Sequence, residues 1–278
     1  AVIGALALPI GEVEAQHCLD KLSAGEAPTA DEWTALDLLV RMMRPAMATA
    51  RGQAGQLPHY ANHDTELVEQ WRTFSAHSPQ WVPSVGRIDD ARGTHVGTGW
   101  IAAPGLVVTN RHVASILTYG AMRYVDPGCR VTFGFELGIP DAEDARAQPL
   151  VLAAVHDELD LAVLRVPTHR AALTAAMEPV DGGSWVVAVG YPGATEIRAL
   201  HASVFAGGLG VRRTSPGTVR SRTCSRLTHD CSTAGGSSGS PVLALATGEV
   251  VGVHSEGRSA YENAAIPVAA VVDLLGRI

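Results

Sequence analysis

The sequence predicts a mainly β protein with a helical segment before the sheets and one helix after them. Three observations carry that expectation. From about residue 86 the chain breaks into short runs rich in Val, Leu and Ala, parted by Gly, Pro and Asp. Short strands at such regular spacing suit a barrel or a sandwich. Before residue 86, apolar residues recur at helical spacing. After the last strand, PVAAVVDLLGRI reads as a C-terminal helix.

The elements follow in order. EVEAQHCLDKLSAG has a helical apolar period and stops at Gly25. PTADEWTALDLLVRMMRPAMATARG offers Asp31 as N-cap and an apolar face of Trp33, Leu36, Leu39, Val40 and Met43, with Pro45 as kink or end. NHDTELVEQWRTFSAH is a third amphipathic helix, and QWVPSVG is a linker or a lead-in strand. The strands are THVGTGWIA, LVVTN, CRVTFGFEL, LVLAAVHD, LDLAVLRV, SWVVAVGY, SVFAGGLGV, SPVLAL and EVVGVHS. GVRRTSPG, with its paired arginines, reads as an exposed hairpin. No internal repeat and no low-complexity tract interrupts this order.

At 278 residues, 46% apolar and 18% charged, the chain can bury a sizeable core. A net charge of -7 points away from nucleic acid as a partner. AVIGALALPI is apolar but has no basic flank and is too short to span a membrane, and no later run is long enough. The four cysteines, Cys18, Cys129, Cys224 and Cys231, form no CxxC pair, which argues against zinc. Cys224 and Cys231 could close a loop, but free thiols are the favoured state and suit a reducing compartment. The expected location is therefore cytoplasmic, with export as the alternative if a leader was removed. His59 and His63 are four residues apart and precede Asp64, but no further ligand is nearby, so a solvated loop is preferred to a metal site.

Three local patterns carry chemistry. GTGWIAAPGLVVTNRHVAS delivers His112 just past a strand end. HDELDLAVLRV puts Asp160 at the head of an alternating strand, where its carboxylate could be buried at a barrel mouth. CSTAGGSSGSPVLAL is a glycine-rich loop running into a strand. Each alone has a plain structural explanation: a satisfied histidine, a turn aspartate, a Gly/Ser turn. Together, in the order His, Asp, Ser, the TNRHVA, DLAVL and G-x-S-G-x-P blocks resemble the trypsin-like (chymotrypsin-fold) serine proteases of bacterial type, over roughly residues 86–278.

The resemblance implies two six-stranded antiparallel β-barrels over residues 86–278, preceded by a helical segment at 1–85. It implies a serine endopeptidase with no cofactor, acting on protein or peptide substrates. It selects Ser238 among the three serines, because Ser238 is followed by Gly239 and, three positions on, by Pro241. The chemistry needs these residue types. A serine hydroxyl requires a base to take its proton. His112 can hold that proton and return it to the leaving amine. Asp160 would fix the imidazole tautomer. The backbone amides of Gly236 and Ser238 would form the oxyanion hole. Family members that mature by inserting a new N terminus carry an aspartate where this chain has Ser237, so maturation by that route is not expected.

The resemblance also places a specificity pocket. Ser232, six before Ser238, takes the pocket base and is not acidic, which disfavours Lys or Arg at P1. Thr233 and His254 match the glutamyl endopeptidase branch, with Ser255 and Gly257 on the same strand. A hydroxyl and an imidazole can both donate to a carboxylate, so Glu or Asp at P1 is expected. Glu256 opposes this reading, and a small or apolar P1 is the alternative. A catalytically silent peptide-binding relative is the competing class. The N-terminal helices are open to three roles: packing, docking a protein partner, or inhibition. The apolar faces carrying Trp33, Leu36, Leu39, Met42, Trp71 and Phe74 favour packing.

Overall fold

A computed structural model describes residues 12–33, 35–36, 44–58, 64–122, 124–138, 146–147, 151–193, 204–205, 209–257 and 262–278. His59, His63 and four of the nine residues of the expected strand SVFAGGLGV lie outside them, and the five described residues of that stretch, 204–205 and 209–211, form no strand. Among the described residues no helix is long and apolar enough to cross a membrane.

Helix α1, Glu12–Ala24, ends at Gly25, whose φ of +75 admits the left-handed stop that its sequence announced. The next helical residues, 30–33 and 35–36, are capped by Thr29 and not by Asp31. The Thr29 hydroxyl accepts from the Glu32 N–H at 3.3 Å, and the Glu32 carboxylate accepts from the Thr29 N–H at 2.7 Å. This reciprocal box satisfies two orphan donors at once, which a lone Asp31 could not do. Helix α2, Thr65–Trp81, begins at Asp64, which accepts from the Leu67 N–H at 3.0 Å. It runs past His77 and tolerates Pro79 within it. Its buried face is Leu67, Trp71 and Phe74.

The β part forms two antiparallel sheets. The first contains β2 (Val85–Asp89), β3 (His95–Ala103), β4 (Leu106–Thr109), β7 (Arg130–Thr132), β8 (Arg146–Ala147), β9 (Val151–Val155) and β10 (Ala162–Arg165). Their order is β8-β7-β2-β3-β4-β10-β9. A separate two-stranded ladder joins β5 (Thr118–Tyr119) to β6 (Tyr124–Val125). The second sheet contains β11 (Trp185–Gly190), β12 (Arg213–Arg222), β13 (Leu227–His229), β14 (Pro241–Ala244), β15 (Val250–Gly257) and β16 (Asn263–Pro267). Its order is β12-β11-β14-β15-β16-β13, and a further β12–β13 pairing closes it into a six-stranded barrel with no free edge. The chain ends in helix α4, Val268–Leu275, as expected.

The N-terminal segment packs on its own chain. Strand β1, Met47–Ala48, joins the closed barrel by pairing Met47 with Thr214 and Ala48 with Arg213. Trp71 and Phe74 share one hydrophobic core with Val187, Leu243 and Leu245 of the second barrel. GVRRTSPG is not an exposed hairpin. Arg212 and Arg213 are each 2% exposed, and Arg213 opens the ten-residue strand β12. Arg212 donates to the carbonyls of Val85 (3.1 Å) and Phe133 (3.0 Å) and pairs with buried Glu136. Glu136 in turn accepts from the Gly52 N–H at 2.8 Å. Reading exposure from charge fails here because carbonyls and a carboxylate replace water around the guanidinium.

Candidate active site

The three sequence blocks converge between the first sheet and the closed barrel. Strands β4 and β10 are paired, with Thr109 opposite Ala162. The Asn110 side chain donates to the Asp160 carbonyl at 2.9 Å and fastens the two strand ends together. His112 is the second residue of helix α3, Arg111–Leu117. Its ring Nδ1 lies 2.6 Å from Asp160 Oδ2, and its backbone N–H donates to Asp160 Oδ1 at 2.8 Å. One carboxylate oxygen therefore sets the backbone and the other sets the ring. With Nδ1–H engaged, Nε2 is the lone-pair nitrogen. The Asp160 side chain is 32% exposed and that of His112 48%, so the carboxylate is less buried than a barrel-mouth position suggested.

The serine loop is held by β3. The Thr98 N–H donates to the Ser238 carbonyl at 2.8 Å, and the Thr98 hydroxyl donates to the Gly236 carbonyl at 2.9 Å. On the other side the Gly193 N–H donates to the Gly235 carbonyl at 2.5 Å, and the Gly239 N–H to the His254 carbonyl at 2.8 Å. Two glycines are obligatory. Gly236 has φ +88, and a Cβ there would lie 2.3 Å from the His95 ring. Gly239 has φ +89, and a Cβ there would lie 2.0 Å from the Thr98 carbonyl. Gly97 is the point where the serine loop meets α3: a Cβ there would sit 2.7 Å from Val113 and 3.2 Å from the Ser238 carbonyl. Among the described residues, the N–H groups of Gly236 and Ser238 donate to no other group, so both are open to a ligand oxygen.

The pocket residues divide. Thr233 and Gly257 are neighbours, with the Thr233 hydroxyl 3.7 Å from the position a Gly257 Cβ would take. His254 is 2% exposed. Ser232, 3% exposed, lines a small cavity behind the loop together with Thr233 and Ser237. Ser255 is bonded to the Ala264 carbonyl at 3.3 Å. In a regular strand His254 and Glu256 would share a face, but the β15–β16 register shifts between them. Glu256 is accordingly exposed while His254 is buried.

His229 escaped the sequence reading. Its Nδ1 accepts from the Cys231 N–H at 3.3 Å, and its Nε2 lies 3.3 Å from His254 Nδ1. The first bond puts the His229 proton on Nε2. His229 then donates to His254, whose proton is left on Nε2. Burial holds the His229 pKa down at about 4, and burial, with the neighbouring His229 and His112, holds His254 well below its ordinary value. Both rings are therefore neutral near pH 7. Burial also lowers His95 to about 4, beside the loop at Gly236. No local motif marks His229 or His95. Only the barrel closure and the β3 register bring them to the site.

All four cysteines are free thiols, Cys224 exposed and the other three buried. Among the described residues no three His, Cys, Asp or Glu side chains cluster as a metal site.

Residues 97–253 match the trypsin-like peptidase domain. No curated protein matches the chain by sequence. Among solved structures, the active form of the Rv3671c protease from M. tuberculosis superposes with a TM-score of 0.53 at 24% identity, over 77% of this chain and 87% of that one. Its inactive form gives the same TM-score and identity over 77% and 96%. The serine endoprotease from Yersinia pestis gives 0.53 at 19% identity, over 80% and 67%. These likenesses carry the fold, and the domain match carries the family. With its closed barrel and its converging His, Asp and Ser blocks, the chain belongs to the trypsin-like peptidases, a family of serine endopeptidases.

Proposed function

We propose that His112, Asp160 and Ser238 are the catalytic triad of this endopeptidase and that it prefers Glu or Asp at P1. The observation that carries the triad is the two-point grip of Asp160 on His112, at 2.6 and 2.8 Å. It leaves Nε2 of His112 with the lone pair that a base needs. Ser238 Oγ attacks the scissile carbonyl as His112 takes its proton. The N–H groups of Gly236 and Ser238 receive the oxyanion. His112 then protonates the leaving amine, and water repeats the sequence on the acyl-enzyme.

The acidic preference rests on the His229–His254 pair. The chain Cys231 N–H to His229 to His254 leaves one imidazole N–H to offer, and the Thr233 hydroxyl is a second donor. A substrate carboxylate would accept from the His254 N–H, whereas an apolar side chain would bury that donor unpaired at a cost of about 1–3 kcal/mol. Ser237 in place of an aspartate supports an oxyanion loop that forms without cleavage of a new N terminus.

Digestion of a mixed peptide library, with cut sites mapped by mass spectrometry and Ser238→Ala as control, tests the reading. Cuts after Glu and Asp that vanish in the control are expected. Cuts only after small or apolar residues would remove the pocket assignment and keep the triad.

A further inference from the structure

The N-terminal segment reaches the back of the serine loop through Arg213. This side chain is 2% exposed. Its Nη1 donates to the Ala46 carbonyl at 2.6 Å and its Nη2 to the Phe205 carbonyl at 3.1 Å. Ala46 immediately precedes β1, so the bond belongs to the same strap that pairs Ala48 with Arg213. The strap is fixed at both ends: Arg44 pairs with Asp230 at 3.2 Å, and the Gly52 N–H donates to Glu136.

Arg213 lines the cavity behind the loop with Ser215, Ser232, Thr233, Ser237 and Ser240. The cavity has room for about one water molecule. Its lining residues include a guanidinium and five hydroxyls but no carboxylate. Ser240 is 1% exposed, and its Oγ has no hydrogen-bond partner among the described residues. That Oγ lies 1.9 Å from where a Gly190 Cβ would be, and Gly190 is the strand partner of Arg213. The loop is thus pressed between Thr98, which holds its front, and the wall formed by Gly190 and Arg213.

We propose that Arg213 is a positioning residue for the oxyanion loop, held in place by the N-terminal strap through the Ala46 carbonyl. It touches neither substrate nor nucleophile. It acts by keeping Ser237 and Ser240 in place, so that the flanking amides stay aimed at the oxyanion. The inference rests on the triad assignment given under Proposed function.

The test measures kcat, KM and melting temperature for wild type, Arg213→Met and Arg213→Lys. Wild type is also labelled with a fluorophosphonate at Ser238. Arg213→Met is expected to lower kcat by about 10²-fold, comparable to loss of one oxyanion-hole donor, with KM little changed. Arg213→Lys, which can donate to one carbonyl but cannot span both, is expected to restore part of kcat. If Arg213→Met does not fold, Arg213→Lys alone decides, by a fall in kcat at constant KM. A folded variant with lower melting temperature and wild-type kcat would overturn the proposal and leave Arg213 purely structural. Wild type that neither cleaves peptides nor takes the label would overturn the triad assignment first, and this proposal with it.

Discussion

His112 and Asp160 illustrate how little side-chain geometry the account needs at the residue scale. The aspartate spends one oxygen on the backbone of His112 and the other on its ring. Asp160→Asn would present an amide to Nδ1 and favour the wrong tautomer. It is expected to lower kcat by about 10⁴-fold without unfolding the protein, as read by peptide hydrolysis and circular dichroism. Gly236→Ala meets two obstacles, a φ of +88 and the His95 ring at 2.3 Å. The loop must move, and kcat is expected to fall by about 10²–10³-fold while the labelled serine, if any label is taken, stays Ser238. His229→Phe keeps a ring in the barrel but removes the bond to His254. Its expected signature is a KM raised about tenfold for Glu at P1, with apolar substrates unaffected. These residues differ in how legible they were. Ser238, His112 and Asp160 lie in local blocks whose spacing is set by strand ends and a glycine turn. His229 and Arg213 reach the site only through partners far along the chain, and nothing next to them in sequence says so.

Elements with a strong local period were readable. Helices α1, α2 and α4 and strands β3, β4, β9, β10, β11, β14 and β15 fall where apolar periodicity and turn residues put them. The strands missed are instructive. β12 opens with Arg213 directly after Arg212, β13 contains Thr228 and His229, and β16 opens with Asn263. All carry polar groups that face the barrel interior or its junctions, where carbonyls and other side chains satisfy them. Polarity hid them because a one-dimensional pattern cannot show those partners. The N-terminal segment was read as apolar, but its place was not readable. It contributes β1 to the closed barrel and Trp71 and Phe74 to the core. Trp71→Ala removes a ring 4% exposed, along with its bond to the Gly55 carbonyl. It is expected to cost about 3–5 kcal/mol in chemical denaturation.

For the whole molecule, buried histidines tie stability to pH. His229, His95 and His254 are all held neutral by burial, the first two at about 4 against an ordinary 6.5. The unfolded chain therefore binds more protons than the native state as pH falls below about 6.5. Stability is full above that value and is lost through the window down to about 4, by up to about 1.4 kcal/mol per pH unit for each group. Urea midpoints measured from pH 7.5 to 4.5 are expected to fall in this window, and His229→Phe is expected to flatten the fall. The triad assignment turns on one hydroxyl, that of Ser238, in the loop between the first sheet and the closed barrel. Fluorophosphonate labelling of the full chain, followed by peptide mapping of the adduct, tests it most directly. One adduct per chain is expected, on Ser238, lost in His112→Ala. An adduct on Ser237 or Ser240, or labelling that survives His112→Ala unchanged, would contradict it.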